Sequence, residues 1–399
     1  MTRGPDFFRE NKGKIEEKKD KRNKENNKEY KGDEKRKRTE KKKGRKKRKK
    51  REEKGNGTTG MVKNIGVMML ISVIALVYKA IQPIPPTICG SPGGPHVSSP
   101  RIKLKDGRHL AYKEHGVPKE IANHKVIFIH GFDSCKHDVI PISPTIFEEL
   151  GIHLVSFDRA GYGESDPNPK RTEKSTAEDV EQLADQLQLG DKFYVIGFSM
   201  GGQITWTCVR YIPHSRLAGA AILAPVANFW WHGFPPNVSN TAFDMQLTQD
   251  KWAVRVAHYA PWLTYWWNTQ KWFPSSGVAS NNPLVLSPRD WSVINKHHPR
   301  GYRKQVRQQG EFESLHRDMM VSFGKWEFSP MDLENPFPNG EGGIHLWHGA
   351  DDRTVPITFS RYIVDNLQWI HYHEVSEGGH LFPLADGMGD VIVRTLLSR

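Results

Sequence analysis

The sequence predicts an α/β fold in which a mostly parallel sheet is covered by helices on both faces. Short apolar, β-branched runs alternate with stretches of helical length from about Arg101 to the end of the chain, and this alternation is typical of parallel strands joined by crossover helices. One of these runs leads through a glycine-rich turn directly into a helical stretch. The region has about 300 residues, which is enough for one domain with an insertion.

The first 60 residues differ from the rest in composition and are treated as a separate segment. They hold 26 Lys and Arg against 12 Asp and Glu, a net charge of +14, whereas the remaining chain holds 32 against 33, a net charge of −1. Because apolar residues are almost absent, we predict a disordered basic tail at residues 1–60. The run at 41–51 could bind nucleic acid, act as a nuclear address or hold anionic lipid. We favour a solvated extension without a specific partner, or a start assigned too early, upstream of Met61, so nucleic acid is not an expected partner.

An apolar stretch follows the tail. Residues 64–78 are fifteen residues without a charge, and extension to 61–81 approaches the about 20 residues that a bilayer span needs. A secretory signal and a buried core helix are the alternatives, but no small-residue cleavage site follows cleanly and no neighbouring apolar segment is available for packing. We predict a single-pass membrane anchor at 61–81, with the endoplasmic reticulum as the candidate membrane, and a Pro/Gly linker at 82–100. The basic flank predicts a cytosolic N-terminus and a body on the far side of the membrane.

The remaining chain gives the order of strands and helices. Asp106 and Gly107 form a hairpin signal between two short strands. The predicted strands lie at 102–104, 109–112, 125–129, 154–157, 193–196, 217–223, 344–348 and 371–375. The predicted helices lie at 175–189, 203–211, 356–367 and 384–397. Ser175, with Glu178 three residues on, is the candidate N-terminal cap of the first of these helices.

Residues 193–202, with the sequence FYVIGFSMGG, are the centre of this organisation. A strand buried on both faces runs into the pattern G-x-S-x-G, with Ser199 in the middle, and a helix follows. In such a nucleophile elbow the turn is strained so that the hydroxyl is exposed, and side chains on Gly197 and Gly201 would clash. The helix that begins there directs its free N–H groups towards the reacting oxygen. An incidental serine in a glycine-rich turn is the alternative, which the flanking strand and helix disfavour.

Four further motifs lie at the ends of predicted strands. HGF ends at Phe132, DRAGYGESD begins at Asp158, HGADDRTVP begins at His348 and GGH ends at His380. In these motifs and their order the body resembles the α/β-hydrolase superfamily, in its lipase/esterase-like branch with a serine nucleophile. The linker sequence ICGSPGGP and the short anchor are similar to a plant-type membrane-anchored branch of that family. The resemblance implies an α/β-hydrolase fold with core segments at 101–225 and 341–399, and a helical cap inserted after the sixth strand, at 226–340.

The chemistry of the elbow assigns roles to three residues. Ser199 is the expected nucleophile, and a hydroxyl needs a base that is itself oriented by an acid. The family's chain order is serine, then Asp or Glu, then histidine. His380, in the loop after the last strand, fits the base. The acid is Asp351 or Asp352, and the resemblance selects Asp352, three residues after Gly349, which leaves Asp351 as a turn residue.

Other histidines receive different assignments. His348 ends a strand and is assigned to the turn that follows it. His371 and His373 alternate along a strand, where a metal pair is conceivable but solvent-facing side chains are favoured. Three cysteines form neither a disulfide framework nor a metal cluster. We therefore expect no metal and no organic cofactor.

An oxyanion hole needs two backbone N–H donors. The N–H of Met200, directly after the nucleophile, is one candidate. The other is the N–H of Phe132, because Gly131 before it lets the backbone approach the substrate. A purely packing role for the Phe132 side chain is the alternative.

The segment 226–340 is rich in aromatic residues, with eight tryptophans between Trp230 and Trp291. They could form an apolar acyl pocket beneath a lid. They could equally form the cap's own core, or dip into a nearby membrane. The choice stays open from the sequence.

These assignments predict a serine hydrolase that forms an acyl-enzyme on a carboxylic ester or similar acyl substrate, either a small molecule or a lipid-like one. Enzymes of the fold that open epoxides or remove halides carry an Asp at the elbow, and Ser199 argues against both. A small-ligand receptor on the same fold and a catalytically silent membrane-tethered scaffold are the alternatives.

Overall fold

The computed structural model describes residues 6–296 and 302–398, apart from the side chains of residues 6–15, 53–60 and 303. The chain divides into two units, Met1–Ala80 and Ile81–Arg399.

Helix α1, Asp6–Ile81, includes most of the first unit, so the structure differs from the disorder predicted for the tail 1–60. Lys, Arg and Glu are good helix formers even where nothing packs on them. Pairs of opposite charge four residues apart add to this, as between Lys24 and Asp20 at 3.2 Å and between Arg38 and Glu34 at 3.4 Å. The side chains of residues 16–52 are all exposed. The low apolar content therefore prevents a core but not a helix.

The last part of α1 is apolar. Met61–Ile81 is 21 residues long with a mean hydropathy of 2.0, and it is the one helix among the described residues that is long and apolar enough to cross a membrane. It coincides with the predicted anchor. Membrane insertion itself stays a prediction.

The second unit contains a sheet of eight strands in the order β1-β2-β4-β3-β5-β6-β7-β8. The strands β1 and β2, and β2 and β4, pair antiparallel, and the other neighbours pair parallel. The mostly parallel sheet is thus confirmed, and all eight predicted strands are present. The strands are β1 Arg101–Lys103, β2 His109–Gly116, β3 His124–Ile129, β4 Ile152–Phe157, β5 Phe193–Phe198, β6 Leu217–Leu223, β7 Ile344–Gly349 and β8 Ile370–Val375.

Helices connect the strands. Those outside the insertion are α2 Pro144–Leu150, α3 Glu173–Gln186, α4 Met200–Tyr211, α11 Thr358–Asn366 and α12 Met388–Leu397. All except the short α2 were predicted. The insertion contains α5 Pro236–Asp244, α6 Thr248–Tyr259, α7 Thr264–Thr269, α8 Pro288–Lys296, α9 Arg303–Val306 and α10 Arg317–Ser322. Short 3₁₀ turns occur at His214–Arg216, Pro261–Leu263, Pro283–Val285, Pro330–Asp332 and Phe382–Leu384, and a π turn occurs at Phe312–His316.

Helix α3 begins earlier than predicted. Thr172, not Ser175, is the N-terminal cap: its side chain accepts a hydrogen bond from the Ser175 N–H at 3.1 Å, and the Ser175 side chain accepts one from the Thr172 N–H at 2.9 Å. Ser175 is therefore the second member of the capping box, and Glu178 has no part in it.

The sheet is covered on both faces by apolar contacts. Side chains alternate along β3, so that Ile127 and Ile129 belong to one core cluster while Val126 and Phe128 belong to the other. Helices α3, α4 and α11 contribute to the first cluster, and α2 and α12 contribute to the second. Burial on both faces explains why the strands are continuous apolar runs.

Residues 82–100, all of them described, contain no helix or strand, but they are not a free linker. The Thr87 N–H donates to the Gln309 carbonyl at 3.0 Å, and the Cys89 N–H donates to the Gln309 side chain at 3.0 Å. Near the other end the Ser99 N–H donates to the Glu164 carboxylate at 2.8 Å. Both partners lie far away in sequence, so the composition of the segment gave no sign that it is fixed to the body.

Candidate active site

The elbow occurs at the predicted place, between β5 and α4. Ser199 has φ +58° and ψ −115°, a strained backbone conformation for a residue with a side chain. A Cβ on Gly197 would overlap the Thr205 hydroxyl, and a Cβ on Gly201 would overlap the Ile129 carbonyl. Neither glycine can be replaced without moving a strand or a helix, which agrees with the clash expected from the pattern.

Ser199, His380 and Asp352 meet at the carboxyl edge of the sheet. The His380 Nε2 atom lies 3.0 Å from the Ser199 Oγ atom, and the His380 Nδ1 atom lies 2.7 Å from the Asp352 Oδ2 atom. All three side chains are buried. They follow β5, β8 and β7, whose carboxyl ends lie together because these strands are parallel. The structure therefore brings the three predicted residues into hydrogen-bonding contact.

The two neighbouring acidic residues have different surroundings. The Asp352 Oδ1 atom accepts hydrogen bonds from the Thr354 N–H at 2.9 Å and the Val355 N–H at 2.8 Å. Asp351 is partly exposed, and its carboxylate lies 3.4 Å from the Arg353 Nε atom. Only Asp352 contacts His380, as the spacing from Gly349 predicts.

Electrostatics in this cluster favour an ion pair. Burial alone would raise the pKa of Asp352, but its contacts with His380 and His348 lower that pKa well below the ordinary value. Burial acts to lower the pKa of His380, but the charges of Asp352 and Asp290 outweigh it, and the net shift is upward. Asp352 is thus ionised, and His380 is a stronger base than an ordinary histidine.

His348 lies next to the acid, a contact that the sequence did not reveal. Its Nε2 atom is 3.2 Å from the Asp352 Oδ2 atom and 3.1 Å from the Val355 carbonyl oxygen, while its Nδ1 atom is 2.8 Å from the Ser360 hydroxyl. A carbonyl can only accept, so Nε2 carries the proton and Nδ1 accepts from Ser360. The assignment of His348 to the turn is correct but incomplete. The sequence feature that pointed to this contact was the position of His348, four residues before Asp352.

Asp290, in the first turn of α8, fixes the loop that carries His380. Its Oδ1 atom accepts a hydrogen bond from the Leu381 N–H at 2.6 Å, and its Oδ2 atom accepts two from Ser287. A Cβ on Gly379 would overlap both of these side chains. The sequence did not predict this contact of Asp290. Its only signal was the capping pattern Ser287-x-x-Asp290.

The two candidate oxyanion donors lie beside the serine. The Met200 N–H is the first of α4 and has no partner within the helix. A Cβ on Gly131 would lie 3.2 Å from the Ser199 Cβ atom, so the backbone that leads to Phe132 approaches the nucleophile closely. The Phe132 side chain also packs against an apolar cluster formed by α6 and α10 of the insertion. Both interpretations of Phe132 are therefore compatible with its position.

A buried arginine positions the HGF loop. Arg159 donates to the Gly131 carbonyl at 2.9 Å and to the His130 carbonyl at 3.1 Å. Its guanidinium also pairs with Asp318 of α10 at 2.7 and 2.6 Å. Asp318 accepts a further bond from the Tyr162 hydroxyl at 2.6 Å. The DRAGYGESD motif thus connects the candidate oxyanion loop to the insertion.

A cavity of about 80 Å³ opens beside Ser199. Its wall contains Phe132 and Met200 on the core side and residues of the insertion on the other. Most of the insertion's contribution is apolar, but α6 supplies Asp250, whose pKa burial raises although Ser276 and Gly277 hydrogen-bond to it. The residues that line the cavity from the insertion are Val226, Ala227, Phe229, Gln246, Asp250, Val254, Ser276, Val278, Met319 and Phe323.

The remaining histidines and cysteines lie elsewhere. The His345 Nδ1 atom is 3.0 Å from the His373 Nε2 atom, and the His345 ring stacks on His371. His371 is exposed, as the sequence suggested, whereas His373 is half-buried and packs against His345. Among the described residues no three His, Cys, Asp or Glu side chains are placed to hold a metal ion. The three cysteines are buried and unpaired with one another.

Comparison with known proteins identifies the family of the chain. The family model for the alpha/beta hydrolase fold matches residues 125–385. Among solved structures, the chain is similar to a thermophilic esterase from Thermogutta terrifontis, with 19% identity, 74% of this chain and 97% of the other covered, and a TM-score of 0.47. It is similar to an esterase from Exiguobacterium antarcticum, with 18% identity, coverage of 75% and 98%, and a TM-score of 0.45. It is also similar to a membrane phospholipase A, described as a bacterial virulence factor, with 15% identity, coverage of 86% and 96%, and a TM-score of 0.50.

At 15% identity and a TM-score of 0.50, the membrane phospholipase A indicates a similar fold and nothing about activity, and the plant-type branch stays a prediction. The family match spans more than half of the chain and includes the HGF, DRAGYGESD, GFSMGG and HGADDRTVP motifs. The sheet order and the elbow agree with it. The chain belongs to the α/β-hydrolase fold family.

Proposed function

We propose that the protein is a serine hydrolase that forms an acyl-enzyme on a carboxylic ester or similar acyl substrate. The observation that carries this proposal is the hydrogen-bonded chain from Ser199 through His380 to Asp352, with 3.0 Å and 2.7 Å between the bonded atoms. A hydroxyl becomes an effective nucleophile when a neighbouring base removes its proton during attack. Ser199 has such a base, and His380 has an ionised acid to orient it.

In the first half-reaction the Ser199 Oγ atom bonds to the carbonyl carbon while His380 Nε2 accepts the hydroxyl proton. The carbonyl oxygen becomes an oxyanion, which the N–H groups of Met200 and Phe132 stabilise. The bond to the leaving alcohol then breaks, and His380 gives its proton to that oxygen. Asp352 stabilises the imidazolium throughout.

In the second half-reaction water replaces the alcohol. His380 accepts a proton from water as the water oxygen bonds to the acyl carbon. Collapse of the second tetrahedral intermediate releases the acid and breaks the bond to Ser199, whose oxygen recovers the proton from His380. No metal or organic cofactor takes part in these steps.

The cavity bears on the substrate. It is small, at about 80 Å³, and it opens beside Ser199. A short acyl group fits this space, and a longer or lipid-like alcohol portion would lie outside it. We therefore propose a preference for short acyl chains, on small or lipid-like alcohols.

Activity profiling tests the proposal. The wild type should hydrolyse p-nitrophenyl esters over many turnovers, with kcat/KM highest for short acyl chains, and a fluorophosphonate should label Ser199. Ser199→Ala should lose on the order of 10⁶ in kcat, while Ser398→Ala, which changes an exposed serine, should match the wild type. Labelling at another serine, or an active Ser199→Ala variant, would show the proposal to be wrong. Binding without turnover would favour the receptor alternative.

A further inference from the structure

The insertion exposes an unusual set of large aromatic side chains. Trp272 is 82% exposed, Tyr259 71%, Trp262 65% and Trp252 51%. A tryptophan offers 150–250 Å² of mostly apolar surface and is rarely left in water when it can be buried. Trp231 of the insertion, by contrast, is buried in the core. The exposed set is therefore a feature of this surface and not of the whole insertion.

Two of these side chains, Trp252 and Trp272, are joined by a row of neighbouring rings, and Tyr259 and Trp262 lie close to them in sequence. The Trp252 ring lies 6.2 Å from that of Trp267, the Trp267 ring 6.4 Å from that of Trp266, and the Trp266 ring 5.8 Å from that of Trp272. Tyr259 lies two turns after Trp252 on α6, and Trp262 follows in the turn between α6 and α7. We refer to Trp252, Tyr259, Trp262, Trp266 and Trp272 as the tryptophan surface.

The chain segment that carries the tryptophan surface has charged side chains of a single sign. Residues 251–273 contain Lys251, Arg255 and Lys271 and no Asp or Glu. The Arg255 guanidinium lies over the Trp252 ring, 5.4 Å from its centroid. Lys251 also pairs with Asp244 of α5 at 3.1 Å. Aromatic rings with a polar N–H or O–H, interleaved with cations, match the boundary between lipid headgroups and acyl chains.

We propose that the tryptophan surface docks the body on the surface of a bilayer, and that its cations strengthen the docking where anionic lipid is present. The excess of cations favours anionic lipid, at about 1 kcal/mol or fivefold in affinity for each Lys or Arg near the surface. The chain also carries the apolar helix Met61–Ile81. Only residues 82–86 separate this helix from Thr87, which is bonded to Gln309, and six residues reach at most about 20 Å. A bilayer that held the helix would therefore be within reach of the body.

Docking through this surface would bring the candidate active site close to lipid. Helix α6 carries Asp250 and Val254 on the face that lines the cavity beside Ser199, and Trp252 and Tyr259 on exposed positions of the same helix. One helix therefore belongs to both the cavity wall and the tryptophan surface. Docking of the body on a bilayer does not require that Ser199 be reactive.

Tryptophan fluorescence in proteoliposomes tests the proposal with the full chain. All twelve tryptophans lie at residues 206–369 and none lies in the apolar helix. Quenching by lipids with brominated acyl chains therefore reports contact of the body with the bilayer, whether or not the helix is inserted. The vesicles are phosphatidylcholine with or without phosphatidylserine. We expect quenching of the wild type, stronger with phosphatidylserine, and the same quenching for Ser199→Ala.

Two variants and two matched controls decide the outcome. The double variant Trp262→Ala, Trp272→Ala should lose the quenching of its remaining tryptophans, whereas Trp291→Ala, a partly exposed tryptophan on α8, should keep it. Lys271→Gln, which retains every tryptophan, should weaken docking to phosphatidylserine vesicles about fivefold, and Lys325→Gln should not. Absent quenching in the wild type, or quenching that survives in the double variant, would overturn the proposal. The proposal would also be overturned if the wild type self-associated without any quenching and the double variant did not self-associate. The surface would then be a contact between proteins.

Discussion

Two adjacent carboxylates, Asp351 and Asp352, give the sharpest test at the scale of single residues. Asp352→Asn keeps the size of the side chain but removes the charge that orients His380, which favours the wrong tautomer and should cost on the order of 10⁴ in kcat. Asp351→Asn is the matched control, because Asp351 is partly exposed and does not contact His380. Steady-state kinetics of the two variants measure the difference. A larger loss for Asp351→Asn would contradict the assignment.

The pH dependence of the reaction follows from the same pair. His380 must be neutral to accept the Ser199 proton, and its pKa is raised because Asp352 and Asp290 outweigh the effect of burial. The value of kcat/KM reports ionisations of the free enzyme. It should therefore fall as the pH falls through a pKa above 6.5, the ordinary value for histidine.

A profile of kcat/KM against pH checks this expectation. In Asp352→Asn the residual activity should have its acidic limb at lower pH, because the charge that raises the pKa of His380 is gone. Asp351→Asn should leave the limb in place. An acidic limb below 6.5 in the wild type would contradict the electrostatic argument.

At the scale of elements, local features were predictable and distant ones were not. The strand β5, the elbow and the positions of Asp352 and His380 were all readable, because their signals lie within a few residues. Asp290 and Asp318 act on Leu381 and Arg159, which are 91 and 159 residues away in sequence. Nothing near either aspartate identifies its partner. The error in the predicted N-terminal cap of α3 has a different cause. Ser175 does belong to the capping box, but as the third residue of the helix, and the cap itself is Thr172.

Asp318 supports a prediction about how α10 is attached to the core. It is buried between Arg159, Arg171 and the Tyr162 hydroxyl, and although burial would raise its pKa, the two arginines lower it. Asp318→Asn would leave two buried guanidinium groups without compensation, at a cost of about 3–5 kcal/mol in the free energy of unfolding. Denaturant titration measures this loss.

The control for Asp318 is Asp244→Asn, also in the insertion. Asp244 pairs with Lys251, but its side chain is 76% exposed, and pairs of that kind contribute about 0–1 kcal/mol. Similar losses of stability in the two variants would show that the buried network does not attach α10 to the core. The same Asp318 variant should also lower kcat, since Arg159 would no longer be held against the loop that contains Phe132.

At the scale of the whole molecule, the composition differs between the first residues and the body but does not determine the structure of each part. Residues 16–52 of the tail are all exposed, as its low apolar content implies, yet they are helical because Lys, Arg and Glu favour helix without packing. The segment 82–100 has the composition of a linker, yet Gln309 and Glu164 fix it to the body. Segment boundaries depend on composition, which the sequence contains. Order within a segment depends on partners elsewhere.

The membrane topology is a prediction for the whole chain that two sequons make measurable. We predict that Met61–Ile81 spans the membrane with the N-terminus in the cytosol and the body in the lumen, because the basic tail lies before the span. Asn237 belongs to the sequon Asn237-Val238-Ser239 and is exposed at the start of α5. The tail contains a second sequon, Asn56-Gly57-Thr58, on the other side of the span. Opposite orientations therefore expose different acceptors to the glycosylating compartment.

Expression in cells and endoglycosidase treatment distinguish the orientations. In the predicted one, the treatment increases the mobility of the wild type and of Asn56→Gln, and Asn237→Gln abolishes that change. Protease added to sealed microsomes provides the second measurement, in which the body should be protected until detergent is added. Digestion of the body in intact microsomes, or a mobility change that Asn56→Gln abolishes, would show that the topology is the reverse of the predicted one. Because the tail holds a net charge of +14, such a reversal would mean that residues 61–81 do not follow the rule that basic flanks stay in the cytosol, as expected of an interfacial helix.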